Sequence, residues 1–397
     1  VVSGYIYLPL ILSIPFYFSI YNISFLDSYF EAISGFTSTG FTIFDNIKHI
    51  DESLILWRSS IQWLGGLYFL FSIILLIDIF DDNLKKTLNN FLSFNQSEAL
   101  KQSSKILILY VLSTFFIFII LKSFDFRTFN SFNLAMTLVS SGGFLPVSNL
   151  STIVNSNLKE IIFSLTMLIS FFSIFLSYNL IFFKKKNINF FKEDLYLFFY
   201  FIILFITFFA FFNSKYDFSI VFLSLTSSIS NIGFSIQKDS TNLSFIFLFL
   251  VIIGGSFFST SSGLRFLKLY ALFKFAITNL ISHVKPRNIF INRYPFLEIS
   301  INKTEINKYF LSIFIFIISL VILTSLLTIT GISFENSFKL SILTIMNTVN
   351  SSSYGLNDIN FVDLHFYTKN YLIVFMIIGR VELLTILIIC KKFLFKN

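Results

Sequence analysis

Four clusters of glycine, serine and threonine with an aromatic residue close by mark the positions in this 397-residue sequence that could do chemistry. The clusters are 35–42 (GFTSTGFT), 139–144 (VSSGGF), 230–235 (SNIGFS) and 349–356 (VNSSSYGL). Glycine relaxes the restriction on the backbone, so neighbouring carbonyl oxygens can point in one direction. Because such oxygens can replace the water shell of a dehydrated cation, the clusters predict cation coordination by the backbone.

A short amphipathic stretch precedes each cluster, and a loop and a long apolar span follow it. The short stretches are 26–34, 129–138, 218–228 and 334–346, too short to cross a bilayer. Non-helical backbone at membrane depth persists only where it is buried in protein or lines a water-filled cavity. We therefore expect four re-entrant loops around one pore, with the carboxyl-terminal ends of the short helices turned towards it.

Glycine beside phenylalanine also has an ordinary interpretation, because small residues allow close helix contacts in membranes. For any single cluster that alternative is as good as the pore. Four clusters with the same flanking pattern favour the pore. The repeats are centred on Gly40, Gly143, Gly233 and Gly355.

The elements that position these loops are transmembrane helices. Hydrophobic residues make up 55% of the chain and charged residues 13%, with a mean hydropathy of +0.80, so there are too few polar residues to cover an apolar core in water. Apolar segments long enough to span lie at 104–121, 163–183, 195–212, 309–329 and 370–390. The sequence predicts an all-α integral membrane protein of four pseudo-repeated units of helix, re-entrant pore helix with loop, and helix. The predicted units are 1–80, 81–185, 186–280 and 281–397.

Basic residues are distributed unevenly among the loops. Alternate loops, at 79–105, 184–193, 265–308 and 391–397, hold 19 of the 29 Lys and Arg residues. The positive-inside rule places these loops in the cytoplasm. The formal net charge of +8 therefore reports membrane topology, and we expect no nucleic-acid partner.

Catalysis and metal chemistry have little support in the sequence. Cys390 is the sole cysteine, which excludes a disulfide framework and a thiolate metal site. The three histidines, far apart and without ligand spacing, are His49, His283 and His365. His49 with Asp45 and Asp51 is the one local group of the kind that a polytopic membrane enzyme would use, and its spacing favours no reaction, so we expect no enzyme.

With its four units, the sequence resembles the potassium-translocating subunits of the Trk/Ktr/HKT superfamily, and the TrkH branch most closely. The resemblance covers nearly the whole chain. Its most specific segments are 34–40 (SGFTSTG), 56–66 (LWRSSIQWLGG), 253–265 (IGGSFFSTSSGLR) and 379–385 (GRVELLT). It implies potassium uptake across the cytoplasmic membrane through a selectivity filter whose mouth faces outside, with potassium as the transported ligand and no catalytic cofactor.

The resemblance places the filter glycines, each with a carbonyl on the potassium path, at the four repeat centres. The implied filter residues are Thr39, Gly40, Phe41, Ser141, Gly142, Gly143, Asn231, Ile232, Gly233, Ser353, Tyr354 and Gly355. Gly142 and Ile232 stand where relatives often have threonine, and the fourth loop is rich in serine. Its register stays open, with Ser353 as the rival to Gly355, and a less selective sodium and potassium transporter is the alternative function.

The segment 253–265 is too rich in glycine and serine to hold a straight helix in lipid, so we expect a break there. By resemblance the third unit contains a flexible loop that gates permeation beneath the filter. The implied gate residues are Gly254, Gly255, Ser256, Ser259, Thr260, Gly263 and Arg265, the last where lysine is usual. Tight helix packing is the alternative, and it explains the two adjacent glycines better than the serine run.

Three ionisable residues in apolar stretches, Arg58, Arg380 and Glu382, are functional candidates because a charge there is expensive. Arg58 lies near a helix end, where snorkelling to the interface is an equal alternative. By resemblance Arg380 faces the filter and limits how many cations occupy the pore. Glu382 has a simpler interpretation as the balance to a nearby charge.

The resemblance also implies a homodimer in membrane lipid with a peripheral, nucleotide-binding cytoplasmic subunit like TrkA, since this chain carries no nucleotide fingerprint. The basic segments 265–308 and 391–397 are candidate docking surfaces or ordinary solvated loops. The sequence begins at Val1 without methionine, and relatives usually have two more helices there, so we expect that its true N-terminus is missing. A secondary transporter with two inverted halves is a further alternative, but four like-oriented quarters do not fit it.

Overall fold

Long and short helices alternate along the chain in the computed structural model of the protein. The structure describes residues 1–44, 46–80, 99–174, 191–212, 217–236, 243–284, 303–356 and 359–381. Within these residues, the first seven helices are α1 (Val2–Leu12), α2 (Ile14–Ser19), α3 (Phe25–Phe36), α4 (Glu52–Phe80), α5 (Ala99–Ser123), α6 (Thr128–Val139) and α7 (Asn157–Phe171). The next seven are α8 (Phe191–Phe212), α9 (Phe218–Ile229), α10 (Ser244–Ile252), α11 (Phe266–Val284), α12 (Lys303–Ile329), α13 (Phe334–Ile345) and α14 (Phe366–Val381).

Several of these helices are long and apolar enough to cross a bilayer. Within the described residues the spans are Val2–Ser19, Ser103–Ser123, Glu193–Ala210 and Glu305–Ile329. Their outer faces expose large apolar side chains such as Phe115, Ile203 and Phe310, which makes lipid the solvent of those faces. The predicted spans 163–183 and 370–390 continue past α7 and α14 into residues outside the described part of the chain.

The short helices α3, α6, α9 and α13 each have 12 residues. At about 1.5 Å per residue, each is about 18 Å long and cannot cross a hydrocarbon core of about 30 Å. Their last turns are buried among the other helices, as at Leu138, Ile229 and Leu343. These four helices are therefore re-entrant elements enclosed by protein, as the sequence predicted.

The short helices are joined into a closed ring by the helices that follow them. The helix after each loop packs on the short helix of the next unit: α4 on α6, α7 on α9, α10 on α13, and α14 back on α3. Each short helix also packs on the helix before it, as α3 does on α1 and α13 on α12. The ring brings the four loops together although they are far apart in the sequence.

The third unit differs because its last helix is interrupted between α10 and α11. Residues 253–265 run as irregular chain, pinned by an isolated bridge between Ile253 and Leu264. The break is the one that the glycine and serine content predicted. It leaves irregular backbone inside the protein, where it needs hydrogen-bond partners.

Candidate functional site

The four loops leave their short helices in the same way. The second residue after each helix has a left-handed backbone: Ser38 (φ 57°), Ser141 (57°), Asn231 (58°) and Asn347 (48°). The amide of the following residue then donates to a carbonyl near the end of the helix, Thr39 to Ser34, Gly142 to Thr137, Ile232 to Ser227 and Thr348 to Leu343, at 2.8–3.0 Å. Asparagine tolerates this backbone better than most residues with a side chain. The loops are thus structural equivalents, residue by residue.

By this equivalence the fourth loop has a different register from the predicted one. The fourth residue after each short helix is Gly40, Gly143, Gly233 and, in the last unit, Val349. Gly355 comes six residues later, after the 3₁₀ turn Ser352–Tyr354, where it has a φ of 69° and lies beside Lys339. The prediction placed the fourth segment at that turn because it contains a glycine. Ser353, Tyr354 and Gly355 are not the structural equivalents of the first three filter segments.

Two of the glycines are required by the backbone and one by lack of space. Gly40 and Gly233 have φ values of 81° and 91°, which strain any residue with a Cβ. A Cβ on Gly143 would come within 2.5 Å of the Cβ of Val349. Val349 itself has no positive φ, so a β-branched residue fits the fourth position. Its side chain occupies space between the loops that the glycines leave open.

Hydrogen bonds join loop 2 to loop 3, loop 3 to loop 4 and loop 4 to loop 1. The Ser141 hydroxyl donates to the carbonyl of Ser230, which joins loop 2 to loop 3. The Asn231 amide donates to the Thr348 hydroxyl (3.4 Å), and the Asn347 amide donates to the Thr39 hydroxyl (3.0 Å). These contacts run from loop 2 through loops 3 and 4 to loop 1, so a shift in one loop is passed to its neighbours.

Side chains outside the predicted filter fix the far ends of loops 1 and 2. The Ser34 hydroxyl donates to the Phe41 carbonyl (2.6 Å), and the Thr137 hydroxyl donates to the Phe144 carbonyl (3.2 Å). The side chain of Gln62, oriented to satisfy its neighbours, accepts from the amides of Gly143 (3.1 Å) and Phe144 (3.0 Å). Sequence reasoning missed Thr137 and gave Gln62 no role, although both stand at fixed offsets from a cluster.

A cavity of about 740 Å³, here called the vestibule, lies where the chain leaves the four loops. Its wall includes all four equivalent residues: Gly40, Gly143, Gly233 and Val349. Ser351 and Ser352 also line it, whereas Ser353, Tyr354 and Gly355 do not. Among the described residues, no group of three or more His, Cys, Asp or Glu side chains could hold a metal ion. The loop residues in this wall bring backbone and hydroxyl oxygen atoms to the vestibule.

The interrupted segment 253–265 lies at the other ends of the loops, where the short helices stop. The Thr260 hydroxyl donates to the carbonyl of Val139, the last residue of α6 (2.8 Å). The amides of Ser256 and Ser261 donate to the carbonyls of Phe171 (3.0 Å) and Ser170 (3.2 Å) at the end of α7. The segment is thus fastened across the second unit.

Two buried ionisable side chains hold the shape of this segment. The Arg265 guanidinium donates to the carbonyls of Ser256 (3.0 Å), Ser259 (3.4 Å) and Ser261 (3.0 Å). Glu193, on α8, accepts from the hydroxyl of Ser256 and from the amide of Phe257, both at 3.0 Å. Gly255 has no room for a side chain, because a Cβ would lie 2.3 Å from the Phe171 carbonyl oxygen. Arg265 belongs to the predicted gate residues, and Glu193 was missed.

Arg380 connects the interrupted segment with loop 1. It is 1% exposed and donates to the hydroxyls of Ser262 and Ser38, the latter at 3.3 Å. Its guanidinium also lies 4.0 Å from the centroid of the Phe69 ring, and that of Arg265 lies 5.0 Å from the same centroid. The positive charge therefore lies between the loops and the segment.

Arg58 is buried, with 1% of its surface exposed, so the snorkelling alternative is wrong. Its Nε atom lies 2.9 Å from Oε1 of Glu31, a residue of α3 that sequence reasoning did not single out. Asp45, Glu382 and the basic tail 391–397 lie outside the described residues.

Known proteins resemble this chain in sequence and in fold. An uncharacterised cation transporter of Methanocaldococcus jannaschii is 22% identical over 97% of this chain and 80% of its own length. The Trk system potassium uptake protein TrkG of Escherichia coli is 24% identical over 95% of this chain and 80% of its own length. The crystal structure of the potassium transporter TrkH from Vibrio parahaemolyticus matches 98% of this chain and 85% of its own with a TM-score of 0.83 at 20% identity. No family model matches the chain.

Proposed function

We propose that this chain, a relative of the Trk potassium uptake proteins along 95% of its length and with the fold of a Trk transporter, carries potassium through its four-loop ring. The observation that carries the proposal is that four equivalent loops from one chain lie at the base of a single vestibule. Backbone oxygens held in such a ring replace the hydration shell of a cation. The short helices add the partial negative charge of their carboxyl-terminal ends.

The selectivity filter in this proposal consists of Thr39–Phe41, Gly142–Phe144, Ile232–Phe234 and a corrected fourth segment, 348–350. The first three contain the residues implied by the resemblance except Ser141 and Asn231, which precede the second and third segments and bond to neighbouring loops. The hydrogen bonds between loops hold their carbonyls at a set spacing, which supports discrimination between cations of different size. Ser353 and Tyr354 bond to Ser224 and Ser228 of α9, and with Gly355 they are not assigned to the ion path.

The interrupted segment 253–265 is the gate in this proposal. Its fastening to α6 and α7 closes the space beneath the loops, and opening requires the hydrogen bonds of Thr260 and Arg265 to break. Arg380 is a fixed positive charge between gate and filter that limits how many cations occupy the path.

A transporter that also admits sodium is the second candidate. Val349 favours it, because one of four otherwise glycine positions presents a bulky apolar side chain. Its carbonyl then cannot adjust as freely as that of a glycine. The distribution of basic loops supports a multi-pass protein of the cytoplasmic membrane with the vestibule outside, and we also propose a homodimer regulated by a TrkA-like cytoplasmic subunit.

Rubidium flux into proteoliposomes tests the function. Gly233→Ala adds a Cβ at a φ of 91°, where it also meets the Val349 carbonyl oxygen at 2.5 Å. Gly331→Ala is the matched control, since Gly331 has a φ of 97° but no atom within 4 Å of the added group. Both changes cost about 1–2 kcal/mol of backbone strain.

We expect Gly233→Ala to lower potassium over sodium preference by about tenfold, which is about 1.4 kcal/mol, while Gly331→Ala keeps the wild-type preference. Equal potassium over sodium preference in the two variants would contradict the assignment of the loops to the ion path. Absence of rubidium flux through the wild-type protein would contradict the transport function itself.

A further inference from the structure

A buried ion pair lies behind the first filter loop. Oε1 of Glu31, from α3, accepts from Nε of Arg58, from α4, at 2.9 Å. The Thr42 hydroxyl joins both partners, because it donates to the same oxygen of Glu31 (3.0 Å) and accepts from Nη2 of Arg58 (2.9 Å). The other carboxylate oxygen accepts from the amide of Ile43 (2.9 Å). The carboxylate thus grips the chain just after Gly40.

The guanidinium reaches the second loop as well. Nη1 of Arg58 donates to the carbonyl of Leu145 (3.4 Å), the residue that follows Phe144. The guanidinium carbon lies 4.2 Å from the centroid of the Phe144 ring and 5.5 Å from that of Phe44. One side chain therefore fixes the outer ends of loops 1 and 2 relative to each other. Lysine is a compact point charge without the planar fork of arginine and could not make this set of contacts.

The pair also lies in the wall of the vestibule. Arg58 and Thr42 contribute to that wall, next to Gly40, and Glu31 lies directly behind them. Side-chain exposure is 1% for Arg58 and 0% for Glu31, so water screens neither charge well. As long as both charges are present, a cation in the vestibule meets a nearly neutral wall.

We propose that Glu31 and Arg58 are positioning residues for the filter, and that their mutual neutralisation sets the apparent affinity for the entering cation. The inference rests on the proposed transport function and adds to it a determinant of affinity outside the loops. Its electrostatic part predicts effects of opposite sign for the two partners. A purely structural pair would give effects of the same sign.

Neutralisation of each partner separates these cases. Glu31→Gln leaves the Arg58 cation in the wall, so the KM for rubidium uptake should rise by about tenfold at low ionic strength. Arg58→Gln leaves the Glu31 carboxylate, so the KM should fall by a similar factor. The double variant Glu31→Gln/Arg58→Gln should return the KM to within about twofold of wild type.

Asp27→Asn provides the matched control. Asp27 is on the same short helix and is paired with Lys369 at 2.6 Å, but neither residue lines the vestibule. Removing this carboxylate should leave the KM unchanged within about twofold, because the remaining cation is farther from the ion path. A shift as large as that of Glu31→Gln would mean that any lost ion pair on α3 has the same effect, and would overturn the inference.

Arg58→Lys tests the positioning role without changing the charge at residue 58. It also tests the proposal if Glu31→Gln or Arg58→Gln fails to insert into the membrane. The KM should stay near wild type, while the preference for potassium over sodium falls by about threefold or more because the contacts with Thr42 and Leu145 are lost. Unchanged preference would overturn the positioning role. KM shifts of the same sign in Glu31→Gln and Arg58→Gln would overturn the electrostatic role, whereas absent wild-type flux would refute transport instead.

Discussion

At the scale of single residues, the fourth loop shows what a search for glycine finds and what it misses. Gly40, Gly143 and Gly233 were predictable, because strain or lack of space demands glycine at each. Val349 was not predictable, because its backbone does not require glycine and its neighbours form no recognisable motif. Asn347 offered a weaker signal, because asparagine is common in the left-handed region. That signal locates the fourth loop only once the end of α13 is known.

Val349 should restrict the size of the permeant ion. Its Cγ1 atom would lie 2.8 Å from a Cβ on Gly233, so its side chain fills the space between facing loops. Val349→Gly should raise caesium flux relative to potassium flux by about threefold or more, because a wider, more adjustable ring fits a larger ion. The ratio is measured by competitive uptake in proteoliposomes. Val147→Gly, at another vestibule valine, is the control and should keep the wild-type ratio.

At the scale of elements, the sequence predicted the break in the third unit but not what stabilises it. Glycine and serine between Ile253 and Leu264 forbid a straight helix, and that is readable from composition. The hydrogen-bond partners of the irregular backbone in this segment are Glu193 on α8 and the carbonyl groups at the end of α7. They lie about 60 to 90 residues away in sequence, so only the packing of the units brings them together.

Arg265→Gln should loosen the gate. The change removes a charged donor from three carbonyls of the segment, and a hydrogen bond to a charged group contributes about 1.5–3 kcal/mol. We expect basal rubidium flux to rise several-fold and the melting temperature to fall. Arg127→Gln removes an exposed arginine paired only at the surface and should change neither. Lower flux in Arg265→Gln with an intact fold would contradict a gating role for the segment.

At the scale of the whole molecule, the predicted resemblance to Trk potassium transporters and the all-helical membrane fold are confirmed. The relatives are transport proteins, so the expectation that the chain is not an enzyme is confirmed with them. The fold was predictable because hydropathy and a fourfold pattern repeat along the chain. The ring closure of α14 on α3 was not, because contacts between the ends of a chain leave no local pattern.

Thiol labelling should report the orientation of the protein in the membrane. In a Cys390→Ser background, Asn149→Cys places a thiol at the exposed rim of the vestibule, and His283→Cys places one at the exposed end of α11. The positive-inside rule predicts that an impermeant maleimide labels the first from outside intact cells and the second only after lysis. The reverse pattern would invert the proposed direction of uptake.

Phe69 couples loop 1 to the interrupted segment. The guanidinium of Arg380, which bonds loop 1, and that of Arg265, which holds the interrupted segment, both lie against this one ring. Two like charges compete for the same aromatic electrons, so displacing either one favours the other. Such coupling is reciprocal by thermodynamic necessity. A cation that displaces loop 1 from Arg380 therefore changes the energy needed to displace the interrupted segment from Arg265. The reverse also holds.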